Sequence, residues 1–319
     1  MSAAPGRSPA SAHRSPQGEG TPVSGEGFSA DWLRQREPFD ARARDGAAER
    51  LHLSARLAPL RPDPGNPWRV IDLACGTGAN LRWLAPRLGG TQEWLVADHD
   101  AALLRCWPER LGLPAVAASS GDPLVFSGPG FQTAIVRRQI DLAQQLDALP
   151  WHAAHLVTAS ALLDLVSAAW LHRVVAASAA ARVALLFSLS VDGRHGWSPA
   201  DPMDATVMRL FGAHQRRDKG FGPALGAGAA AVLRRGLRDA GYRVFSARSD
   251  WVLEGRSGPQ AAALQRALVD GMAAAATEQD PALALPLQAW RQRRLELSDA
   301  GSLRVGHVDL LALPPAPQG

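Results

Sequence analysis

The run Val70-Ile71-Asp72-Leu73-Ala74-Cys75-Gly76-Thr77-Gly78-Ala79-Asn80 constrains this chain more than any other. A short β-branched stretch ends in an acid, a glycine-rich turn follows, and Leu81, Leu84 and Leu88 then recur at helical spacing. This is the pattern of a buried strand that turns sharply into a helix. Gly76 and Gly78 permit positive φ and a close approach of backbone to a ligand. The helix start offers unpaired N–H groups. Trp94 to Asp98 reads as the next strand and delivers a second acid 20 residues after Gly78. In a doubly wound sheet that position reaches the hydroxyls of a ribose.

The remaining chain fits around this unit. Residues 1–27 are rich in Ser, Ala, Pro and Gly and read as a disordered tail. Residues 28–67 predict an N-terminal helical cap, divided by Pro38, and a proline-rich linker. Strands are expected at Phe131 to Ile140, Leu156 to Ser160, Val183 to Ser190, Tyr242 to Leu253 and Leu303 to Leu313. Ser127-Gly128-Pro129-Gly130 reads as a turn between two short strands. Helices are expected around Trp170 to Ala180, at Ala224 to Gly241, and over Gln260 to Leu297 with interruptions at Pro281 and Pro286. Strands alternating with helices predict an α/β domain over 68–313 on a doubly wound, mostly parallel sheet. Segments 190–226 and 258–298 are insertions, and 314–319 is a tail.

Two classes of ligand suit a strand–glycine turn–helix unit. A dinucleotide site calls for a third glycine, but Gly76-x-Gly78-x-x is followed by Leu81. Asp72, beside the turn, would repel a pyrophosphate and suits a cation. A sulfonium bearing an α-amino group is such a cation.

Asp72-Leu-Ala-Cys-Gly-Thr-Gly78 resembles the first motif of the class I S-adenosylmethionine-dependent methyltransferases, with Ala74 where a glycine is often seen. Trp94 to Asp98, followed by His99, resembles the second motif. Ile140-Asp141-Leu142 resembles the third, a role for which Asp122 competes, and Leu156 to Ser160 with Ala161 to Val166 resembles the fourth. The resemblance covers roughly 69–190, with a continuation through 253. It implies a Rossmann-like, seven-stranded sheet with helices on both faces. S-adenosyl-L-methionine would be the cofactor. Asp72, Ala74, Gly76, Thr77, Gly78, Asn80, Asp98, His99, Asp141, Leu142 and Ser160 would form its site. It also implies that charged residues of the N-terminal helices, Glu37, Asp40 and Arg42, cap the cofactor. The chemistry is methyl transfer to a nucleophile, which needs alignment and, for a poor nucleophile, a base.

The acceptor is approached by exclusion. No Asp/Asn-Pro-Pro-Tyr/Phe tetrad follows the fourth strand, as it does in enzymes that methylate the amino groups of nucleic acids. Cys75 lies in the turn and Cys106 beside Trp107, and neither suits attack on a pyrimidine. No Cys/His cluster has metal-ligand spacing, so no metal is expected. Segment 190–226 follows a strand at the sheet's carboxyl edge and carries Trp197, Phe211 and Phe221 among polar groups, which suits a small-molecule pocket. His195 and His214 are the candidate bases, and Asp164 would orient the acceptor or a histidine. Lys219 is the single lysine among 34 basic residues, as though a compact ammonium were needed there. The favoured expectation is methylation of oxygen or nitrogen on a small molecule. Methylation of RNA or protein, cofactor binding without catalysis, and a dinucleotide oxidoreductase are the competing ones.

The net charge of +4 and the scatter of Arg216-Arg217, Arg234-Arg235 and Arg293-Arg294 argue against a nucleic-acid footprint, unless these arginines share one face. Two cysteines and no secretory segment point to a reducing, cytoplasmic setting, and no apolar run is long enough to span a membrane. The 258–298 helices would either extend the substrate lid or form a homodimer contact.

Overall fold

The computed structural model describes residues 28–113 and 123–316; the expected tail over 1–27, residues 317–319 and Asp122 lie outside the described residues. The chain opens with α1 (Ala30–Arg50), capped by Ser29 accepting from the Trp32 N–H at 3.1 Å, and α2 (Leu53–Leu57). Pro38 does not divide α1, contrary to the sequence expectation. The proline sits on the exposed side of the helix, so water reaches the carbonyl that loses its partner. Across it, Arg36 and Asp40 pair through two hydrogen bonds of 2.9 and 3.2 Å.

The glycine-turn unit is built as read: β1 (Trp68–Leu73), the turn, α3 (Ala79–Leu88) and β2 (Gly90–Asp98). Next come α4 (Ala101–Arg105), α5 (Trp107–Arg110), and a hairpin of β3 (Leu124–Gly128) and β4 (Phe131–Gln139). Then follow α6 (Leu142–Gln145), β5 (Leu156–Ser160), α7 (Ala168–Ala181) and β6 (Ala184–Ser198). The last part comprises α8 (Asp204–Gln215), α9 (Ala229–Asp239), β7 (Arg243–Arg248) and β8 (Trp251–Glu254). It ends with α10 (Pro259–Gln279), α11 (Ala284–Glu296) and β9 (Ser302–Leu313).

The strand order is β3-β4-β2-β1-β5-β6-β9-β7, with β8 also pairing β9. The five strands β4, β2, β1, β5 and β6 are parallel neighbours, while β9 runs antiparallel to β6, β7 and β8. Among the described residues the sheet has nine strands rather than the seven expected. The hairpin adds β3 at one edge. The expected strand at Tyr242 to Leu253 is interrupted at Ser249 and Asp250 and becomes two.

Alternation along the strands divides the core into two layers. Trp68, Val70, Leu156 and Leu186 face α1, α3 and α5 with Leu81, Leu84 and Trp107. Ile71, Leu73, Val157 and Leu185 face α6, α7 and α9 with Trp170, Leu171, Leu233 and Leu237. Helices therefore cover both faces.

The two insertions pack on each other. Val207 and Leu210 of α8 meet Val269, Met272 and Ala273 of α10 and Leu287 and Trp290 of α11. Pro286 falls in the first turn of α11 and does not interrupt it, because early positions need no i−4 hydrogen bond. β6 runs to Ser198, eight residues beyond the expected end, because β9 pairs with it past a bulge at Leu189.

Candidate functional site

The turn after β1 carries Ala74 at φ +51°, Gly76 at +51° and Gly78 at +88°. Gly78 caps α3 in the left-handed region, and a Cβ there would lie 3.0 Å from the Trp107 ring. Packing as well as conformation therefore demands glycine. The Trp107 indole N–H also donates to the Gly76 carbonyl at 2.8 Å. Gly78→Ala is expected to cost about 1–3 kcal/mol of stability, the range for a residue forced into a sparsely populated backbone region. Urea unfolding measures this, and an unchanged midpoint would contradict it.

Asp98 ends β2 and clamps the turn. One carboxylate oxygen accepts from the Gly76 N–H at 2.8 Å, and the other accepts from the Asp100 N–H at 2.9 Å. The His99 ring, largely exposed, sits 3.3 Å from the same carboxylate. A carboxylate has about four acceptor positions, so Asp98 retains capacity for ligand hydroxyls.

Asp72 is fully buried on the α1-facing side of β1. Its Oδ1 accepts from the Asn80 amide at 2.6 Å, while its Oδ2 has no partner. Asn80 also donates to Thr158 on β5 at 3.1 Å, and its own carbonyl accepts from Arg44 of α1 at 2.7 Å. Arg44 is 2% exposed, stacks 3.7 Å from the centre of the Trp83 ring, and leaves its Nε unpaired. Burial pushes the Asp72 carboxyl up to about 7; the Asn80 bond and the Arg44 charge oppose that rise and Asp98 adds to it. Burial also brings the Arg44 guanidinium down to about 10, against the pull of Asp309, Asp40 and Asp72.

Thr77 is buried with an unpartnered hydroxyl. Ser160 ends β5 and lines a cavity of about 290 Å³ between α1 and α3, together with Asp40, Arg44, Ala79, Arg82 and Trp83. Asp141 is exposed and caps α6, accepting from the Ala143 N–H at 2.9 Å. It is tethered beside Asp98, whose carbonyl accepts from the Ile140 N–H at 2.9 Å. Leu142 packs in the core, and its carbonyl accepts from the Trp170 indole at 2.8 Å.

The acceptor-side candidates do not gather at one point. His195 lies on the extended part of β6 against the rings of Trp197 and Phe211, and its Nδ1 is buried without a partner. Burial holds it below the usual histidine range. Asp164, on a 3-10 turn after β5, is half-buried and pushed up to about 6 by burial, with Arg36 pulling the other way. His214 is instead buried between α8 and α10, its Nε2 3.2 Å from Glu278, where it ties the two insertions together. Lys219 is exposed on the turn closed by the Asp218–Pro223 bridge; burial, and then the Lys219 charge, lower the His214 imidazole from the usual histidine range, with Glu278 opposing.

Of the expected cap residues, Glu37 pairs with Arg82 at 2.7 and 2.8 Å and with Arg110, and Asp40 binds Arg36 and the Trp251 indole. Arg42 stacks over Phe39. Arg44, His307 and Asp309 were not anticipated. Asp309 on β9 is 2% exposed and accepts from the Leu189 N–H at the β6 bulge and from Ser249. His307 is buried and held down to about 3 by burial and by the nearby Arg36 and His195. A stripe Arg36, Asp40, Arg44 at i, i+4, i+8 was the available signal that this face of α1 is buried.

The arginines do not form one basic face. Arg217 pairs with Glu278, Arg293 with Asp201, and Arg294 is buried against Asp204, all within the insertions. Arg234 and Arg235 lie on α9, on the face of the sheet away from α1. Among the described residues no group of three or more His, Cys, Asp or Glu side chains could hold a metal ion, and no helix is long and apolar enough to cross a membrane.

No protein-family model and no curated protein matches this chain. Several solved structures are similar in fold. The YcgJ protein of Bacillus subtilis is 10% identical with a TM-score of 0.42, covering 83% of this chain and 100% of that one. The cyclopropane synthase MmaA2 of Mycobacterium tuberculosis is 10% identical with a TM-score of 0.39, covering 89% and 94%. The geranyl diphosphate C-methyltransferase of Streptomyces coelicolor, solved with Mg2+, geranyl diphosphate and S-adenosyl-L-homocysteine, is 12% identical with a TM-score of 0.38, covering 82% and 77%.

Proposed function

We propose that this chain is a class I S-adenosylmethionine-dependent methyltransferase that methylates oxygen or nitrogen of a small molecule. One observation carries the proposal. Two buried carboxylates, Asp72 and Asp98, flank a glycine turn at the carboxyl edge of parallel strands, and Asp72 keeps an unpartnered oxygen. A diphosphate would meet two negative charges there, whereas a cation with a ribose finds an ion partner and an acceptor for its hydroxyls.

The residues present fit the cofactor. Asp72 would face its positive charge, Asp98 its ribose, and Thr77 has a free hydroxyl in the turn. When bound, the sulfonium supplies an activated methyl group and a neutral leaving group. The protein's part is to exclude water, align the acceptor and take up its proton. His195 suits the last task, because burial holds it below the usual histidine range and so favours the neutral ring, a proton acceptor.

Asp98→Ala should weaken adenosylmethionine binding by about 1–3 kcal/mol, the range for lost charge-assisted hydrogen bonds. Isothermal calorimetry reads this directly, and unchanged affinity would remove Asp98 from the site.

A further inference from the structure

The cavity of about 290 Å³ between α1 and α3 adjoins the glycine turn. Ser160, on its wall, follows Ala159, the partner of Leu73, and so lies beside Ala74 at the start of the turn. Ala79, also on the wall, follows Gly78. Arg44 lines the same space and reaches the acid of the turn through one amide. It donates to the Asn80 carbonyl at 2.7 Å, and Asn80 donates to Asp72 at 2.6 Å.

Six charged side chains line the cavity, and five of them stand in ion pairs. Glu37 binds Arg82 and Arg110, Asp45 binds Arg87, and Asp40 is committed to Arg36 outside the lining. Arg44 is the sixth, and among the described residues no carboxylate comes within ion-pair distance of it. Asp309, Asp40 and Asp72 act on it from farther away. Burial raises all three of those carboxyls, which favours their uncharged forms. Arg44 itself, at about 10, keeps its charge at neutral pH.

The same guanidinium has donors to spare. Asn80 takes Nη2, whereas Nε and Nη1 form no hydrogen bond among the described residues. Its position 3.7 Å from the centre of the Trp83 ring holds the group in place. A cation only 2% exposed and without an ion partner is costly. A carboxylate brought by a ligand supplies that partner, and its two oxygens match the fork of N–H donors. The volume lies near the lower end of small-molecule pockets, about 300–1,000 Å³, and suits a head group rather than a whole nucleoside.

We propose that this cavity is a carboxylate-binding site, with Arg44 as the ion partner of the ligand's carboxylate. Two ligands carry that chemistry. One is the α-carboxylate of the methyl donor, a source that rests on the methyltransferase proposal. The other is a free small acid, which does not. Because the cavity adjoins the glycine turn, the donor's own carboxylate is the expected occupant.

Calorimetric titration of the full chain at about pH 7.5 tests this with two pairs of probes. S-adenosylhomocysteine and decarboxylated S-adenosylhomocysteine differ only in the α-carboxylate, and butyrate and butanol stand for a free acid and its uncharged counterpart. The expected result is that decarboxylation weakens binding at least about tenfold, the effect of about 1.4 kcal/mol. Butyrate should then bind the protein alone and be excluded once S-adenosylhomocysteine is bound. Butyrate, but not butanol, binding to the saturated protein, with no effect of decarboxylation, would support the site with a free acid as its occupant. Arg44→Gln should abolish the preference for the carboxylate in either case, and the comparison on the unmodified protein stands whether or not that variant folds. Equal affinities within both pairs would overturn the site. A carboxylate preference that survives Arg44→Gln would overturn the assignment to Arg44. Failure of S-adenosylhomocysteine to bind would count against the methyltransferase proposal, and the butyrate pair would then decide the site by itself.

Discussion

Arg44→Met is expected to destabilise the protein by about 3–5 kcal/mol, the cost of removing one partner from a buried charge network. Methionine keeps most of the stem that lies on Trp83, so the loss reports the charge more than the packing. Without Arg44, the Asn80 carbonyl loses a donor, and Asp72 and Asp309 lose an opposing charge. Both carboxyls already stand above their ordinary values because of burial, and both would rise further. The folded state would then bind more protons than the unfolded chain over a wider range, so its stability falls as pH rises. The loss should accordingly be larger at pH 8 than at pH 5.5. Urea unfolding at both values measures it, and a variant as stable as the parent at each would contradict the network.

Asp72→Asn should remove the pH dependence of cofactor binding. With its carboxyl near 7, Asp72 carries a proton in the free protein at lower pH, and Oδ2 is the oxygen available to hold it. A cation alongside favours the ionised form, so binding expels that proton. Affinity should therefore fall as pH falls below about 7, by about tenfold per unit at most, since one unit is 1.36 kcal/mol. The stability contribution has the opposite sign. It is fully present below about pH 4 and is lost as pH rises through about 7, because burial penalises the charged form. An asparagine cannot ionise, so the variant should bind weakly at pH 8 and show no slope between pH 5.5 and 7.

The glycine-turn unit was legible because its constraint is local. The strand, the turn and the helix lie within about twenty residues, and Asp72 and Asp98 fall in the last two positions of adjacent strands. The boundaries of β6 were not legible. Its extension is specified by β9, more than a hundred residues later, and residues 190–198 carry no apolar alternation of their own. His214 looked like a loop base and proved to be a helix-end residue paired with Glu278, because the 258–298 insertion that buries it is remote in sequence. Arg44 was missed for a related reason. In a helix crowded with charges a buried arginine looks solvated until its aromatic and amide partners, Trp83 and Asn80, are placed beside it.

The central claim is that the carboxylate-flanked turn takes a positively charged methyl donor. Calorimetric titration of the unmodified protein at about pH 7.5, with adenosylmethionine in one cell and a reduced nicotinamide dinucleotide in another, tests it most directly. Saturable binding of adenosylmethionine with no heat from the dinucleotide is the predicted result. Saturation by the dinucleotide with no response to adenosylmethionine would contradict it.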